Sequence, residues 1–351
     1  MIDTASPSTS SARPRLALAL QGGGAHGAYG WGVIERLLEE EIDIVAVSGA
    51  SAGALNGTAL VAGLAIGGRD GALAGLERLW KAVSHGSPLR AFDHQWGGPL
   101  FEPWFRRSLE MSKMMSRYLA HLSPQLREMR ALRQVVSSSI DLSALTRDGA
   151  LPLYIAATAV SNGAARLFRN DEITVDAIMA SACLPDLFAA VTIDGEDYWD
   201  GGFSANPALE PLIFDHHGAT DLLIVQITPF GVDEAPTSLG GIIGRMSDIG
   251  FNACLLRDLK ALTELQAIAR SAGSSDPAMQ ALAATNLHMM AAPTALAERG
   301  SASKLDTRWS KIQELRDLGR ATAAAWLDEN AGQFRRSSTL TDDDLPEAVV
   351  A

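Results

Sequence analysis

Apolar positions along this chain fall into short runs that alternate with stretches of helical period. Arg15 to Leu20 is an apolar run that stops at Gln21-Gly22-Gly23-Gly24, and from Ala28 to Glu41 the residues Trp31, Ile34, Leu37 and Leu38 recur at helical spacing. A second run, from Ile44, meets Gly49-Ala50-Ser51-Ala52-Gly53 and passes into a helix of small residues. Leu151 to Ala159 predicts a buried strand with Ala164 to Phe168 as its hairpin partner, and Asp194-Gly195 predicts a turn that leaves Asp200 at the end of a returning strand. Asp221 to Thr228 is the next strand, ended by Pro229. Strands alternating with helices, with two glycine turns at strand ends, predict an α/β fold: three layers, α/β/α, around a mainly parallel central sheet.

Beyond Pro236 the pattern turns helical. Ile242 to Ala269 and Ala278 to Ala292 read as helices, the second stopped by Pro293, and Lys304 to Asn330 carries Ile312, Leu315, Leu318 and Trp326 on one side. Between Leu76 and Ala150 an irregular patch, Phe92 to Phe105, precedes a helix with Met111, Met114, Met115, Tyr118, Leu119 and Leu122 on one face. Its other side is basic: Arg106, Arg107, Lys113, Arg117, Arg127, Arg130 and Arg133 stand against Glu110 and Glu128 alone. An amphipathic helix packed on the core would look the same.

The overall charge removes some classes. With 29 Lys and Arg against 41 Asp and Glu, the net charge of −12 argues against a nucleic-acid partner. Cys183 and Cys254 are far apart and form no C-x-x-C pair, so no disulfide framework or thiolate metal site is expected, and a reducing, cytoplasmic setting fits. Residues 1–14 are Ser/Thr/Pro-rich without an apolar core and read as a disordered leader rather than a signal peptide. From Ile44 to Gly68 there is no charged residue, which is long enough for a membrane span. The serines, Asn56 and repeated glycines inside it favour a buried strand, turn and helix instead.

Two glycine turns carry candidate chemistry. Gly49, Ala50, Ser51, Ala52 and Gly53 form a G-x-S-x-G nucleophile elbow, which between a strand and a helix lifts a serine hydroxyl above the sheet edge; alone, the pentapeptide is equally a Gly/Ser turn. The loop Gly22 to Gly27 also satisfies G-x-G-x-x-G, the pattern of a dinucleotide-binding module. Such a module wants an acidic residue at the end of the second strand. Here Asp43 precedes that strand and its end carries Ser51, so the loop serves better as backbone donors for negative charge developing on a carbonyl oxygen. A conventional triad would draw its histidine from His216, His217 or His288, which follow Asp200, but the first two sit at a helix end and the third in an Ala/Met-rich helical stretch. No calcium loop or metal cluster is visible, so no metal and no cofactor is expected.

The glycine loop Gln21 to Gly27, followed about two dozen residues on by Gly49 to Gly53, resembles the bacterial patatin-like phospholipases. Tyr198-Trp199-Asp200-Gly201-Gly202-Phe203 with the following Asn206-Pro207 resembles the family's aspartate segment, and Ala180-Ser181-Ala182-Cys183-Leu184-Pro185 the element before it. The resemblance implies that Ser51 is the nucleophile, Asp200 the proton acceptor, and Gly22, Gly23, Gly24, Ala25, His26 and Gly27 the oxyanion hole, with Gly201 and Gly202 in the aspartate motif. It implies a patatin-like domain over 15–213, hydrolysing lipid acyl esters as a phospholipase A or lysophospholipase does. His26 stands where many relatives carry Arg or Lys. Within this frame the stretch at about 84–150 is expected to be a helical cap whose Met face touches acyl chains and whose basic side meets anionic lipid, giving transient contact with a membrane surface. Residues 214–334 are expected to add a strand and helices to this domain, and 335–351 to be a disordered acidic tail. Tyr198, Trp199 and Phe203 are expected to desolvate Asp200. The same dyad would also serve an esterase or thioesterase acting on a soluble or storage-polymer acyl substrate.

Overall fold

A computed structural model describes residues 13–86, 129–215 and 217–346. The aromatic patch at 92–105 and the Met-rich helix at 111–122 lie outside the described residues, as do its basic neighbours except Arg130 and Arg133, so most of the expected cap does as well; Arg133 pairs with Asp176 at 2.6 Å.

Eight strands form one sheet in the order β5-β6-β3-β2-β1-β7-β8, with β4 pairing separately to β3. They are β1 (Arg15–Leu20), β2 (Asp43–Ala50), β3 (Leu153–Ala159), β4 (Ala165–Arg169), β5 (Val191–Ile193), β6 (Glu196–Asp200), β7 (Asp221–Val225) and β8 (Asn286–Met290). The five strands from β3 to β8 along that order are parallel, while β4, β5 and β6 join antiparallel. The helices are α1 (Gly27–Leu38), α2 (Ala52–His85), α3 (Arg130–Ser139), α4 (Val175–Ser181), α5 (Glu210–Phe214), α6 (Leu239–Ala272), α7 (Pro277–Ala284), α8 (Thr294–Ala297) and α9 (Trp309–Asn330).

Strand alternation builds the layers. On β1, Leu16, Leu18 and Leu20 point to one side, where Trp31, Ile34, Leu60, Leu76, Trp80, Ile312 and Leu315 of α1, α2 and α9 close over them. Ala17 and Ala19 point to the other side and meet Leu212, Leu255, Leu259 and Leu282 of α5, α6 and α7. On β7 the partition repeats, Leu223 and Val225 to the first core and Leu222 and Ile224 to the second. With apolar side chains on both faces, the central strands need helices above and below, which is the three-layer arrangement. Helix α2 is long and apolar enough to cross a membrane by composition; its first turns, Ala52 to Gly63, are instead buried in the core, and it kinks at Gly67-Gly68.

Three expectations need correction. The helix expected over 278–292 ends at Ala284, and Asn286–Met290 is strand β8, paired in parallel with β7. Leu287 and Met289 face the second core and Met290 the first, so alternation and not helical period decides the segment. The helix expected from Lys304 begins at Trp309. Ser301–Leu305 is a separate 3-10 turn, and Asp306, whose carboxylate accepts from Arg308 Nε at 2.9 Å, lies between them. The tail from Arg335 stays on the body as far as Pro346. Leu340 and Leu345 are buried in the second core, and the amides of Thr339 and Leu340 donate to Leu287 O.

The tail is anchored on a buried polar cluster. Asp221, wholly buried, accepts from the Arg335 amide at 2.9 Å and shares a 3.0 Å hydrogen bond with His288 Nε2, while His288 Nδ1 meets Thr339 Oγ1 at 3.0 Å. Burial works to raise the Asp221 carboxyl, and its bonds from His288, Thr220 and Arg335 overcome that and hold it below the ordinary value. Asp221→Ala would leave those partners unsatisfied, and is expected to lower unfolding free energy by about 3–5 kcal/mol in urea titrations at neutral pH.

Candidate active site

Parallel register sets two chain turns side by side. Leu20 of β1 lies opposite Gly49 of β2, so the loop after β1 and the elbow after β2 emerge at one sheet edge, with β7 leaving β1 on its other side. That is the carboxyl-end crevice at a switch in strand order where α/β sheets place their sites. Asp200 reaches the same level by a different route. Ala50 pairs with Ala156, and the next residue, Ala157, pairs antiparallel with Asp200 at the end of β6, so Ser51 and Asp200 are both carried one step past the same rung.

Ser51 has φ 54° and ψ −121°, a backbone conformation that disfavours any side chain. The surroundings force it. A Cβ on Gly49 would come 2.5 Å from Gly53 O, and one on Gly53 would come 2.1 Å from Leu20 O, so strand and helix approach as only glycine permits. The Ser51 amide donates to Ser181 Oγ at 3.0 Å and to Ser181 O at 3.1 Å, which pins the elbow from the end of α4. Two residues on, Cys183 O accepts from the Asp200 amide at 2.8 Å. One short segment thus fixes both residues.

The Asp200 side chain is 0% exposed. Its Oδ1 accepts from the Gly202 amide at 2.8 Å, and Oδ2 has no hydrogen bond of regular geometry. Burial pushes the carboxyl up to about 7, against the pull of the Gly202 amide and of the Ser51 hydroxyl, which is near enough to favour the ionised form. Of the aromatic residues expected to desolvate Asp200, Tyr198 is buried against Phe168, with its hydroxyl accepting from Arg166 Nη1 at 3.0 Å. Phe203 is 41% exposed and its ring lies 4.7 Å from that of Phe251 on α6.

The glycine loop divides into parts with separate tasks. Gly22 passes against the elbow, and its amide is taken by Asn206 Oδ1 at 2.8 Å. The amides of Gly23 and Gly24 donate to no acceptor among the described residues, and Gly24 is exposed, with φ +60°. Ala25 and His26 are buried, and His26 Nε2 meets Ser303 Oγ at 2.7 Å, directed into the 3-10 turn at 301–305. Gly27 opens α1, where a Cβ would strike Ala52. Behind the loop, Gln21 Oε1 accepts from the amides of Ile227 and Thr228 at 2.7 and 2.8 Å, and its Nε2 donates to Asn252 Oδ1 at 2.8 Å. Gln21, Ser181, Asn206 and Asn252 are therefore the framework of the site. Gln21, Ser181 and Asn206 lie within the segments that carry the resemblance, whereas no local pattern marks Asn252.

Neither described histidine that follows Asp200 joins this site. His217 Nε2 lies 3.1 Å from the Tyr154 hydroxyl, next to Asp215, and His288 is the buried partner of Asp221.

A Cβ on Gly22 would lie 2.7 Å from Ser51 Cβ and 2.8 Å from Ala50 O. Gly22→Ala is accordingly expected to shift loop and serine apart and reduce kcat/KM for an ester by about a hundredfold, with a smaller effect on thermal stability.

A serine on a strand-to-helix elbow, facing a buried carboxylate and a glycine loop with open amides, is the layout of an α/β acyl hydrolase. The chain belongs to the patatin-like phospholipase family, whose model matches residues 18–213, more than half of its length. Among curated proteins none matches. Among solved structures the chain is similar to VipD from Legionella pneumophila, with 15% identity and a TM-score of 0.35, covering 86% of this chain and 66% of that one. The chain thus spans just under two thirds of VipD's length.

Proposed function

We propose that the protein cleaves carboxylic esters of phospholipids by a Ser51–Asp200 dyad, without histidine or metal. The observation that carries this is the wholly buried Asp200 carboxylate, with Oδ2 uncommitted beside the Ser51 hydroxyl. In the first half-reaction Ser51 Oγ attacks the acyl carbonyl and its proton passes to Asp200 Oδ2. The oxyanion is held by the Gly23 and Gly24 amides. As the intermediate collapses, the proton moves from Asp200 to the leaving alkoxide and an acyl-serine remains. Water then loses a proton to Asp200 and attacks the acyl carbonyl; collapse returns the proton to Ser51 Oγ and releases the fatty acid.

A carboxyl at about 7 suits this task. It is far more basic than an ordinary aspartate near 3.9, yet still half ionised at neutral pH. The absence of an acidic residue at the end of β2, which closes on Ala50 and Ser51, leaves the glycine loop without the ribose partner a dinucleotide module needs. We place the activity in the cytoplasm, consistent with two buried cysteines, Cys183 and Cys254, neither in a disulfide.

The test is release of free fatty acid from phosphatidylcholine vesicles, alongside a p-nitrophenyl ester series, with chelator present. Hydrolysis of both is expected. Cleavage of the short esters alone would move the substrate to a soluble or polymeric acyl ester, and cleavage of neither would remove the reading.

A further inference from the structure

Gly22, Gly23 and Gly24 in succession have more backbone freedom than any other residues would, yet donors for an oxyanion serve only if they are in place before the charge forms. Asn206 fixes the Gly22 amide, and the amides of Gly23 and Gly24 lie beyond that hold. What steadies them comes from near the other end of the chain. A Cβ on Gly24 would lie 2.5 Å from Lys304 O, so a carbonyl of the 3-10 turn Ser301–Leu305 fills the space that a side chain would take.

Two side chains of that turn tie it to the loop. Ser303 Oγ donates to Gly300 O at 2.7 Å. A hydroxyl has one hydrogen, so the 2.7 Å contact with His26 is His26 Nε2–H donating to Ser303 Oγ. His26 is buried where the loop passes into α1, and the turn thereby grips the loop at its far end. Lys304 Nζ donates to Thr228 Oγ1 at 3.1 Å and to Asp248 Oδ1 on α6 at 2.7 Å, and the Thr228 amide donates to Gln21 Oε1, on the residue before the loop. A ring therefore runs from Gln21 through Thr228 and Lys304 back to Gly24, with Gly22 and Gly23 inside it. Thr228, Asp248, Ser303 and Lys304 all lie beyond residue 213, where the family match ends.

We propose that Ser303 and Lys304 are positioning residues for ester cleavage, setting the Gly23 and Gly24 amides where the oxyanion forms. The proposal rests on the Ser51–Asp200 reading above. Ser303 acts through His26, and Lys304 through Gly24 and Thr228. Because full negative charge reaches the carbonyl oxygen only in the transition state, a slack loop lowers kcat and leaves KM nearly as it was. A turn that served only the fold would lower the melting temperature and leave kcat alone.

In the full chain, with a p-nitrophenyl ester as substrate, Ser303→Ala and Lys304→Met are each expected to lower kcat at least about tenfold, with KM within about twofold of the parent. Thr339→Ala is the control. It removes a partner of buried His288 and none of the contacts above, so it should lower the melting temperature and keep the parent's kcat. Hydrogen exchange followed by mass spectrometry reads the loop without the chemistry: the peptide spanning 21–27 should exchange at least about tenfold faster in both turn variants and at the parent's rate in Thr339→Ala. Unchanged exchange in both variants, a parent-like kcat in both, or an equal loss of kcat in the control would overturn the proposal. A parent that cleaves no ester would remove the dyad reading instead, while the exchange rates would still decide whether the turn holds the loop, so the two failures are distinguishable.

Discussion

Ser51→Ala is expected to abolish ester hydrolysis, lowering kcat by about 10³-fold or more while the protein stays folded. The size follows from position. Ser51 is 8% exposed at the apex of the elbow, and its backbone is held by Ser181 whatever its side chain, so removing Oγ deletes the proposed nucleophile without disturbing its mount. Alanine inherits the positive φ and should leave the melting temperature nearly unchanged. Ser51→Gly removes the same oxygen and relieves the backbone, and should raise stability by about 1 kcal/mol with activity equally lost. A gain in stability paired with loss of function at one residue would mark the elbow as strained for catalysis and not for folding. Single-turnover hydrolysis and thermal melts of the two variants make the comparison.

The second large effect belongs to Asp200. Asp200→Asn keeps the shape and an oxygen for the Gly202 amide but cannot take a proton, so kcat/KM is expected to fall by about 10³-fold. In the parent protein, activity should rise with pH through an apparent pKa near 7 and level off above it, because the ionised carboxylate is the proposed base. Stability runs the other way. The folded state holds the Asp200 proton up to about 7, whereas the unfolded chain releases it near the ordinary aspartate value of 3.8. The group's favourable contribution is therefore complete below the unfolded value and is lost as pH rises through the folded one. Asp200→Asn removes this penalty. It should be more stable than the parent at pH 8, by an amount on the order of a few kcal/mol, and nearly equal to it at pH 4. Urea titrations at the two pH values show the difference, and an opposite sign would mean that Asp200 is stabilised as an anion and is no base.

How much of this was readable from the chain depends on how local the cause is. The loop after β1 and the elbow after β2 are legible because glycine and β-branched residues act over a few positions, and Asp200 because Asp194-Gly195 turns the chain at the start of the strand that it ends. Strand β8 is not legible: Asn286-Leu287-His288-Met289-Met290 is fair helix sequence, and becomes strand because β7 offers a parallel edge and two cores to fill. The tail shows the same limit. Its polar and acidic residues suit disorder, yet Leu340 and Leu345 and the amide of Arg335 find partners on β7 and β8. Within the site, His26 sits in the glycine loop by sequence but is drawn away by Ser303, 277 positions on. The pins on Ser51 and Gly22, from Ser181 and Asn206, span 130 and 184 positions. Motifs in order can show that such residues meet; they do not show which atoms each one holds.

The central claim is that Ser51 is the nucleophile and Asp200 its base, and the most direct measurement is covalent trapping. The folded chain is treated with a fluorophosphonate across pH 5 to 9, and the modified peptide is identified by mass spectrometry. The account predicts a single adduct on Ser51, a labelling rate that climbs through about pH 7, and a slow, pH-independent rate in Asp200→Asn. Active enzyme that leaves Ser51 unmodified, or that is inactivated by an adduct on another residue, would contradict it.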